Sequence, residues 1–212
     1  MTDETFLAEL RRARLMAIVR AAEPAPAEAA ARVLLEEGVR FVEVALTTPD
    51  GLGVIERLRP HVPEGSWLGA GTVLTRDDVA RVESVGGQFI VTPAVVESLD
   101  EAVCRSLPSV VGALSPTEIV TARARGASVV KLFPASVGGP TYLKAVRDPL
   151  PDVPILAVGG VGLDEARAFL QVGALGVGVG GPLVGDAATG GDLDALRNRA
   201  RAFLELVTDL QG

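Results

Sequence analysis

One of the two lysines in this chain lies where a surface residue does not belong. Lys131 is inside the apolar run Val129-Val130-Lys131-Leu132-Phe133. Period-two alternation puts Val129, Lys131 and Phe133 on one face of a strand, with Val130 and Leu132 on the other. If both faces are buried, the apolar surroundings lower the pKa of the amine. An amine left free near neutral pH is what imine formation with a carbonyl requires. The alternative is a lysine that snorkels out from a strand end. Residue usage weighs against it, because of 20 Lys and Arg residues only Lys131 and Lys144 are lysine. A chain this inclined to arginine keeps lysine where only an amine can react.

Glu43 is placed in the same way, inside Phe41-Val42-Glu43-Val44-Ala45-Leu46. A buried carboxylate needs a cation or good donors, and Lys131 is a candidate partner across the interior. A desolvated glutamate with a raised pKa can move protons in both directions. The plainer alternative is a structural ion pair with an arginine. Glycines follow two later runs, Gly159-Gly160 after Ile155–Val158 and Gly180-Gly181 after Gly176–Val179. Without Cβ atoms, backbone N–H groups there can approach a phosphate beside the N-terminus of a following helix. Arg20, at the exit of the first run, is a candidate cationic partner.

These residues need elements to hold them. Eight short apolar runs recur along the chain: Met16–Val19, Phe41–Leu46, Trp67–Ala70, Phe89–Val91, Val110–Ala113, Val129–Phe133, Ile155–Val158 and Gly176–Val179. Their starts lie 19 to 26 residues apart, and each run is followed by a helix-like stretch. Ser115-Pro116-Thr117-Glu118 and Thr75-Arg76-Asp77-Asp78 read as helix starts with capping boxes. Residues 1–15 read as an extra amphipathic helix, and Asp192–Leu206 as a closing one. Regular alternation suits either a closed barrel or an open doubly wound sheet. A nucleotide-binding sheet normally carries its glycine-rich turn after an early strand. Here the first exit is Arg20-Ala21-Ala22-Glu23, and the glycines follow strands 7 and 8, where barrels commonly hold phosphate. The expectation is an α/β fold, a single (β/α)8 TIM barrel spanning residues 1–212 with an additional N-terminal helix.

Composition removes several functions. The net charge of −7 argues against a nucleic-acid partner, which would require a basic face. No apolar run reaches the roughly 18 residues of a membrane span, and the charged first twenty residues do not read as a signal peptide. Cys104, the single cysteine, cannot form an internal disulfide and is read as a packing residue of an amphipathic helix. A cytoplasmic protein is expected. His61 is the only histidine and is flanked by prolines, so neither a zinc centre nor a Ser-His-Asp arrangement is expected. No metal or cofactor is called for.

At these residues the sequence resembles the bacterial 2-keto-3-deoxy-6-phosphogluconate / 4-hydroxy-2-oxoglutarate (KDPG/KHG) aldolase family, from about Met16 to Val184. The resemblance is carried by Val42-Glu43-Val44, Gly69-Ala70-Gly71-Thr72-Val73-Leu74, Val91-Thr92-Pro93, Val130-Lys131-Leu132-Phe133-Pro134-Ala135 and Val158-Gly159-Gly160-Val161. It implies a class I aldolase with Lys131 as the Schiff-base residue and Glu43 as the general acid/base. It further implies that Thr72 and Pro93 line a pyruvyl pocket against which Phe133 packs, and that Gly159, Gly160, Gly180 and Gly181 form a phosphate site. The substrate class is a 2-keto-3-deoxy-6-phospho sugar acid of the gluconate type, cleaved to pyruvate and glyceraldehyde 3-phosphate, with 4-hydroxy-2-oxoglutarate as a further substrate. A homotrimer is implied as well.

Three positions depart from the gluconate pattern. Thr47 stands where an arginine contacts the substrate carboxylate, Val158 where threonine is usual, and Gly181 where a phosphate-site serine is expected. Thr47 with Val158 is similar to the 6-phosphogalactonate branch of the family. Carboxylate binding would then rest on Thr72, backbone N–H groups or Arg20. Two rival readings are a phosphate-binding barrel isomerase or synthase without covalent catalysis, and a silent binder of a phosphorylated acid. The first gives no reason for Lys131, and the second gives none for the pairing of Glu43 with Lys131.

Overall fold

A computed structural model describes residues 2–210. Eight parallel strands close into a barrel in sequence order: β1 (Leu15–Val19), β2 (Phe41–Ala45), β3 (Trp67–Gly71), β4 (Ile90–Thr92), β5 (Ser109–Ala113), β6 (Val129–Leu132), β7 (Ile155–Val158) and β8 (Gly176–Val179). β1 pairs with both β2 and β8, which completes the closure. The outer layer comprises α2 (Pro24–Glu36), α3 (Gly51–Leu58), α4 (Arg76–Ser84), α5 (Ser98–Cys104), α6 (Pro116–Ala124), α7 (Gly139–Arg147), α8 (Leu163–Gln171), a single turn α9 (Gly181–Val184) and the closing helix α10 (Leu193–Asp209). The (β/α)8 TIM barrel expected from the spacing is present. Strand limits shift by one residue at most, and β4 begins at Ile90 instead of Phe89. Both expected capping boxes form, Thr75 with Asp78 and Ser115 with Glu118.

The alternation inferred for the strands decides what faces inward. Val42, Val44, Val130 and Leu132 join the core shared with the helices, whereas Phe41 and Val129 fill the barrel interior. Lys131 and Glu43 follow the parity of Val129 and Phe41, so both point inward.

The extra N-terminal helix, α1 (Asp3–Ala13), closes one end of that interior. Thr2 caps it by accepting from the Thr5 N–H, and Asp3 and Glu4 occupy its first turn. Phe6 and Leu10, four residues apart, form its buried stripe. The Phe6 ring centroid lies 5.5 Å from Phe41, 5.1 Å from Trp67 and 5.4 Å from Phe89. Trp67 donates its indole N–H to Glu9 Oε2 at 2.7 Å, and Ser128 donates to Asp3 Oδ1 at 2.7 Å. Half of the chain's eight aromatic residues therefore meet at the strand starts. Aliphatic residues alone do not fill this core, because the floor of the barrel is aromatic.

Cys104 is a correction to the sequence reading. Helix α5 buries Ser98, Leu99 and Ala102, and Cys104 falls on the opposite side, exposed. Among the described residues, no helix is long and apolar enough to cross a membrane.

Removing the plug tests its weight. Phe6→Ala is expected to destabilise the fold by roughly 3–5 kcal/mol, the usual loss for a fully buried phenylalanine. Urea unfolding measures it, and a change below about 1 kcal/mol would make α1 an ornament of the barrel.

Candidate active site

The open end of the barrel lies at the carboxyl ends of the strands, where the exit loops gather. Lys131 stands beside Gly112 of β5 and Leu156 of β7 in the sheet register, and Glu43 stands beside Ile18 of β1 and Gly69 of β3. Both are almost fully buried, Glu43 with 2% and Lys131 with 7% of its surface exposed. Glu43 Oε2 has no hydrogen-bond partner. Among the described residues, neither group is in an ion pair within 4.0 Å, so the structural salt bridge considered for Glu43 does not form.

Burial pushes the Glu43 carboxyl above its ordinary pKa, and the charges of Lys131 and Arg20 offset this only in part. Burial pulls the Lys131 amine below its ordinary value, Glu43 acts in the opposite direction, and Arg20 adds to the lowering. Both groups are thus drawn toward their neutral forms. The Lys131 Nζ lies 4.7 Å from the Phe133 ring centroid, close enough for the ring to favour a cation formed at that nitrogen.

Small residues make the space. A Cβ at Gly71 would collide with the Glu43 carboxyl, so β3 ends in glycine where Glu43 lies across it. A Cβ at Gly112 would strike the backbone of Pro93. That contact sets the β4 exit against the strand beside Lys131.

A second group gathers at the rim of β1, β2 and β3. Arg20 donates from Nη1 to Thr47 Oγ1 at 2.6 Å and from Nη2 to Thr72 Oγ1 at 3.3 Å. Thr72 has φ +60°, a conformation a β-branched residue rarely adopts and one that clusters at functional sites. Buried Thr48 accepts from the Ala21 N–H at 3.1 Å and ties the β1 exit to the β2 exit. Arg20 is exposed and has no carboxylate partner among the described residues. A guanidinium held in this way can receive a substrate carboxylate.

Across the mouth, Val158 is buried, and its Cγ2 would lie 2.7 Å from a Cβ built on Gly178. This wall offers no hydrogen bond. Gly159 and Gly160 follow with φ +96° and +72°, a left-handed pair that turns the chain at the β7 exit. Glu165 accepts from the Gly162 N–H at 3.0 Å at the start of α8, where the N-cap glycine has no side chain to cap the first turn.

The structure brings Lys131, Glu43, Phe133, Pro93, Arg20, Thr47, Thr72, Val158, Gly159, Gly160, Gly180 and Gly181 to one end of the barrel. Lys144 is exposed on α7, and His61 is exposed in the turn between α3 and β3, at the opposite end. Among the described residues, no group of three or more His, Cys, Asp or Glu could hold a metal ion. Sequence reasoning missed Thr48 and Gly71. The pairing of Thr48 with Thr47 and the Gly-x-Gly of Gly69–Gly71 were visible, but their meaning depends on contacts between strand exits.

The site electrostatics predict a pH signature in stability. A group whose folded pKa is raised keeps its proton in the folded state after the unfolded chain has lost it. Stability then falls as pH rises from the ordinary value of 4.5 toward the raised one. Glu43→Gln removes that titration. The variant should match or exceed the parent in urea midpoint, with a margin that widens as pH rises above 4.5. A margin that narrows instead would mean the carboxylate is stabilised in the fold.

Comparison with known proteins agrees with this geometry. The family model for KDPG and KHG aldolase matches residues 7–198. A probable 2-dehydro-3-deoxy-6-phosphogalactonate aldolase from Rhizobium meliloti (strain 1021) is 38% identical over 200 residues, covering 93% of each chain. A 2-dehydro-3-deoxy-phosphogluconate aldolase from Pseudomonas aeruginosa PAO1 is 36% identical over 167 residues, covering 76% of this chain and 74% of the relative. A solved structure described as native KDPGal superposes with a TM-score of 0.86 at 31% identity, covering 93% of this chain and 95% of that one. The chain belongs to the KDPG/KHG aldolase family, and it is an aldolase, a lyase of carbon–carbon bonds.

Proposed function

We propose that this aldolase cleaves 2-keto-3-deoxy-6-phosphogalactonate to pyruvate and glyceraldehyde 3-phosphate through an imine on Lys131. The observation that carries the reading is a buried lysine and a buried glutamate in one barrel interior, drawn toward neutrality and not ion-paired. A neutral Lys131 attacks the C2 ketone, and the protonated Glu43 gives its proton through a bound water to the carbinolamine hydroxyl, which leaves as water to give a protonated imine and a Glu43 carboxylate. Glu43 acts through a bound water and takes the proton of the C4 hydroxyl. The C3–C4 bond breaks, its electron pair flows into the imine, and the aldehyde leaves. Glu43 returns a proton to C3 of the enamine, and water releases pyruvate from Lys131. Arg20, steered by Thr47 and Thr72, holds the C1 carboxylate, while Pro93 and Phe133 line the pyruvyl pocket. Gly159, Gly160, Gly180 and Gly181 receive the phosphate.

The choice of epimer rests on Thr47 and Val158, together with the name carried by the Rhizobium meliloti relative. The gluconate epimer is the second reading, favoured by the Pseudomonas aeruginosa relative. Val158 cannot hydrogen-bond a substrate hydroxyl, and missing partners are the main source of large specificity ratios in polar sites.

Two measurements test these assignments. Pyruvate with borohydride should inactivate the enzyme irreversibly and leave a pyruvyl adduct on Lys131; an adduct on Lys144, or none, sinks the imine. In a pyruvate-release assay the galactonate epimer should be cleaved at least as efficiently as the gluconate epimer. Val158→Thr should raise the gluconate-to-galactonate ratio about tenfold, one hydrogen bond's worth. Strict gluconate preference in the parent, unmoved by Val158→Thr, would reverse the choice of epimer.

A further inference from the structure

The turn that leaves β6 is laced to the exit of β7. Ala135 donates its N–H to the Val158 carbonyl at 2.7 Å, and Ser136 donates its N–H to the Gly159 carbonyl at 3.0 Å. These two bonds seat the Ser136 side chain over the glycine turn. A Cβ built on Gly160 would come within 2.8 Å of Ser136 Cβ and 3.3 Å of its Oγ. Gly160 is therefore glycine for two reasons, its φ of +72° and the serine above it. Ser136 is exposed at the mouth, and among the described residues its hydroxyl is bonded to no other group. The Gly160 N–H likewise donates to no acceptor among them.

The opposite side of this corner lacks a donor. The serine expected after β8 is Gly181 here, and a Cβ at that position would meet nothing within 4 Å. Val158 supplies no hydrogen bond either. A phosphate lying over Gly159–Gly160 would thus find backbone N–H groups and one side-chain hydroxyl, that of Ser136. A hydroxyl donor to an ionised oxygen makes a short, charge-assisted bond.

We propose that Ser136 is a specificity-determining residue that donates its hydroxyl to the substrate's phosphate, in the role vacated by Gly181. The inference rests on the imine reading and on the phosphate lying at the β7 and β8 exits. Its consequence is that the β6 loop, through Pro134-Ala135-Ser136, measures the far end of the substrate while Lys131 on the same strand holds the near end.

The test uses the condensation direction, which is indifferent to the epimer cleaved. Pyruvate is offered with glyceraldehyde 3-phosphate or with unphosphorylated glyceraldehyde, and the ratio of the two kcat/KM values is the readout. Ser136→Ala should lower the parent's preference for the phosphorylated aldehyde about tenfold, mostly in KM. Adding Gly181→Ser should restore most of it, because the open space there accepts the new hydroxyl. A ratio unchanged by Ser136→Ala, or a double variant no better than the single one, overturns the proposal. Borohydride trapping of pyruvate separates the two levels. Trapping intact at Lys131 with an unmoved ratio removes the serine alone, and trapping lost in the parent removes the imine reading beneath it.

Discussion

A closed parallel barrel has no wet face, and whatever points inward must be packed or tolerated without water. In this chain the inward positions of β2 and β6 carry a carboxyl and an amine, and neither is neutralised by an ion pair. Isolated charges in such a place are expensive, and protein groups usually meet that situation by changing protonation state. The rest of the barrel accommodates this one constraint. Gly71 clears room for the carboxyl, Gly112 lets the β4 exit close beside the amine, and Phe133 offers a ring face where positive charge would develop.

The two ends of the barrel divide the labour. At the strand starts, Phe6, Phe41, Trp67 and Phe89 form a dry floor fastened by α1. At the strand ends, polar groups cluster on β1, β2 and β3, while the β7 side presents Val158 and glycine. A rigid floor lets the upper layer carry groups that do not stabilise the fold, which is the usual relation between scaffold and site. The mouth is lined by polar side chains on one flank and by the apolar Val158 wall and the glycine turn on the other. That asymmetry suits a ligand with a carboxylate at one end and a less strictly read middle.

Much of this was legible in the chain because it rests on local periodicity. Eight evenly spaced apolar runs, with glycines after the last two, point to the barrel, and strand parity groups Lys131 with Val129 and Glu43 with Phe41, the residues that the closed barrel turns inward. The less legible features join residues distant in sequence through the exits of different strands. Arg20 meets Thr47 and Thr72 only after closure brings three loops together. Ser136 acquires a neighbour in Gly160 only through the lacing of two turns. Cys104 missed the core because a seven-residue helix buries only a narrow stripe.

The Arg20–Thr47 hydrogen bond implies that these positions are epistatic. A short hydroxyl at position 47 steers a guanidinium arriving from β1, whereas an arginine at 47 would bring its own and crowd a second cation against the first. Contacting residues of this kind do not contribute additively. Exchanging residue 47 alone would therefore report the clash with Arg20 rather than the merit of either arrangement. An exchange of threonine for arginine at position 47 would have to pass through a paired change, or through an intermediate in which position 20 had already given up its charge.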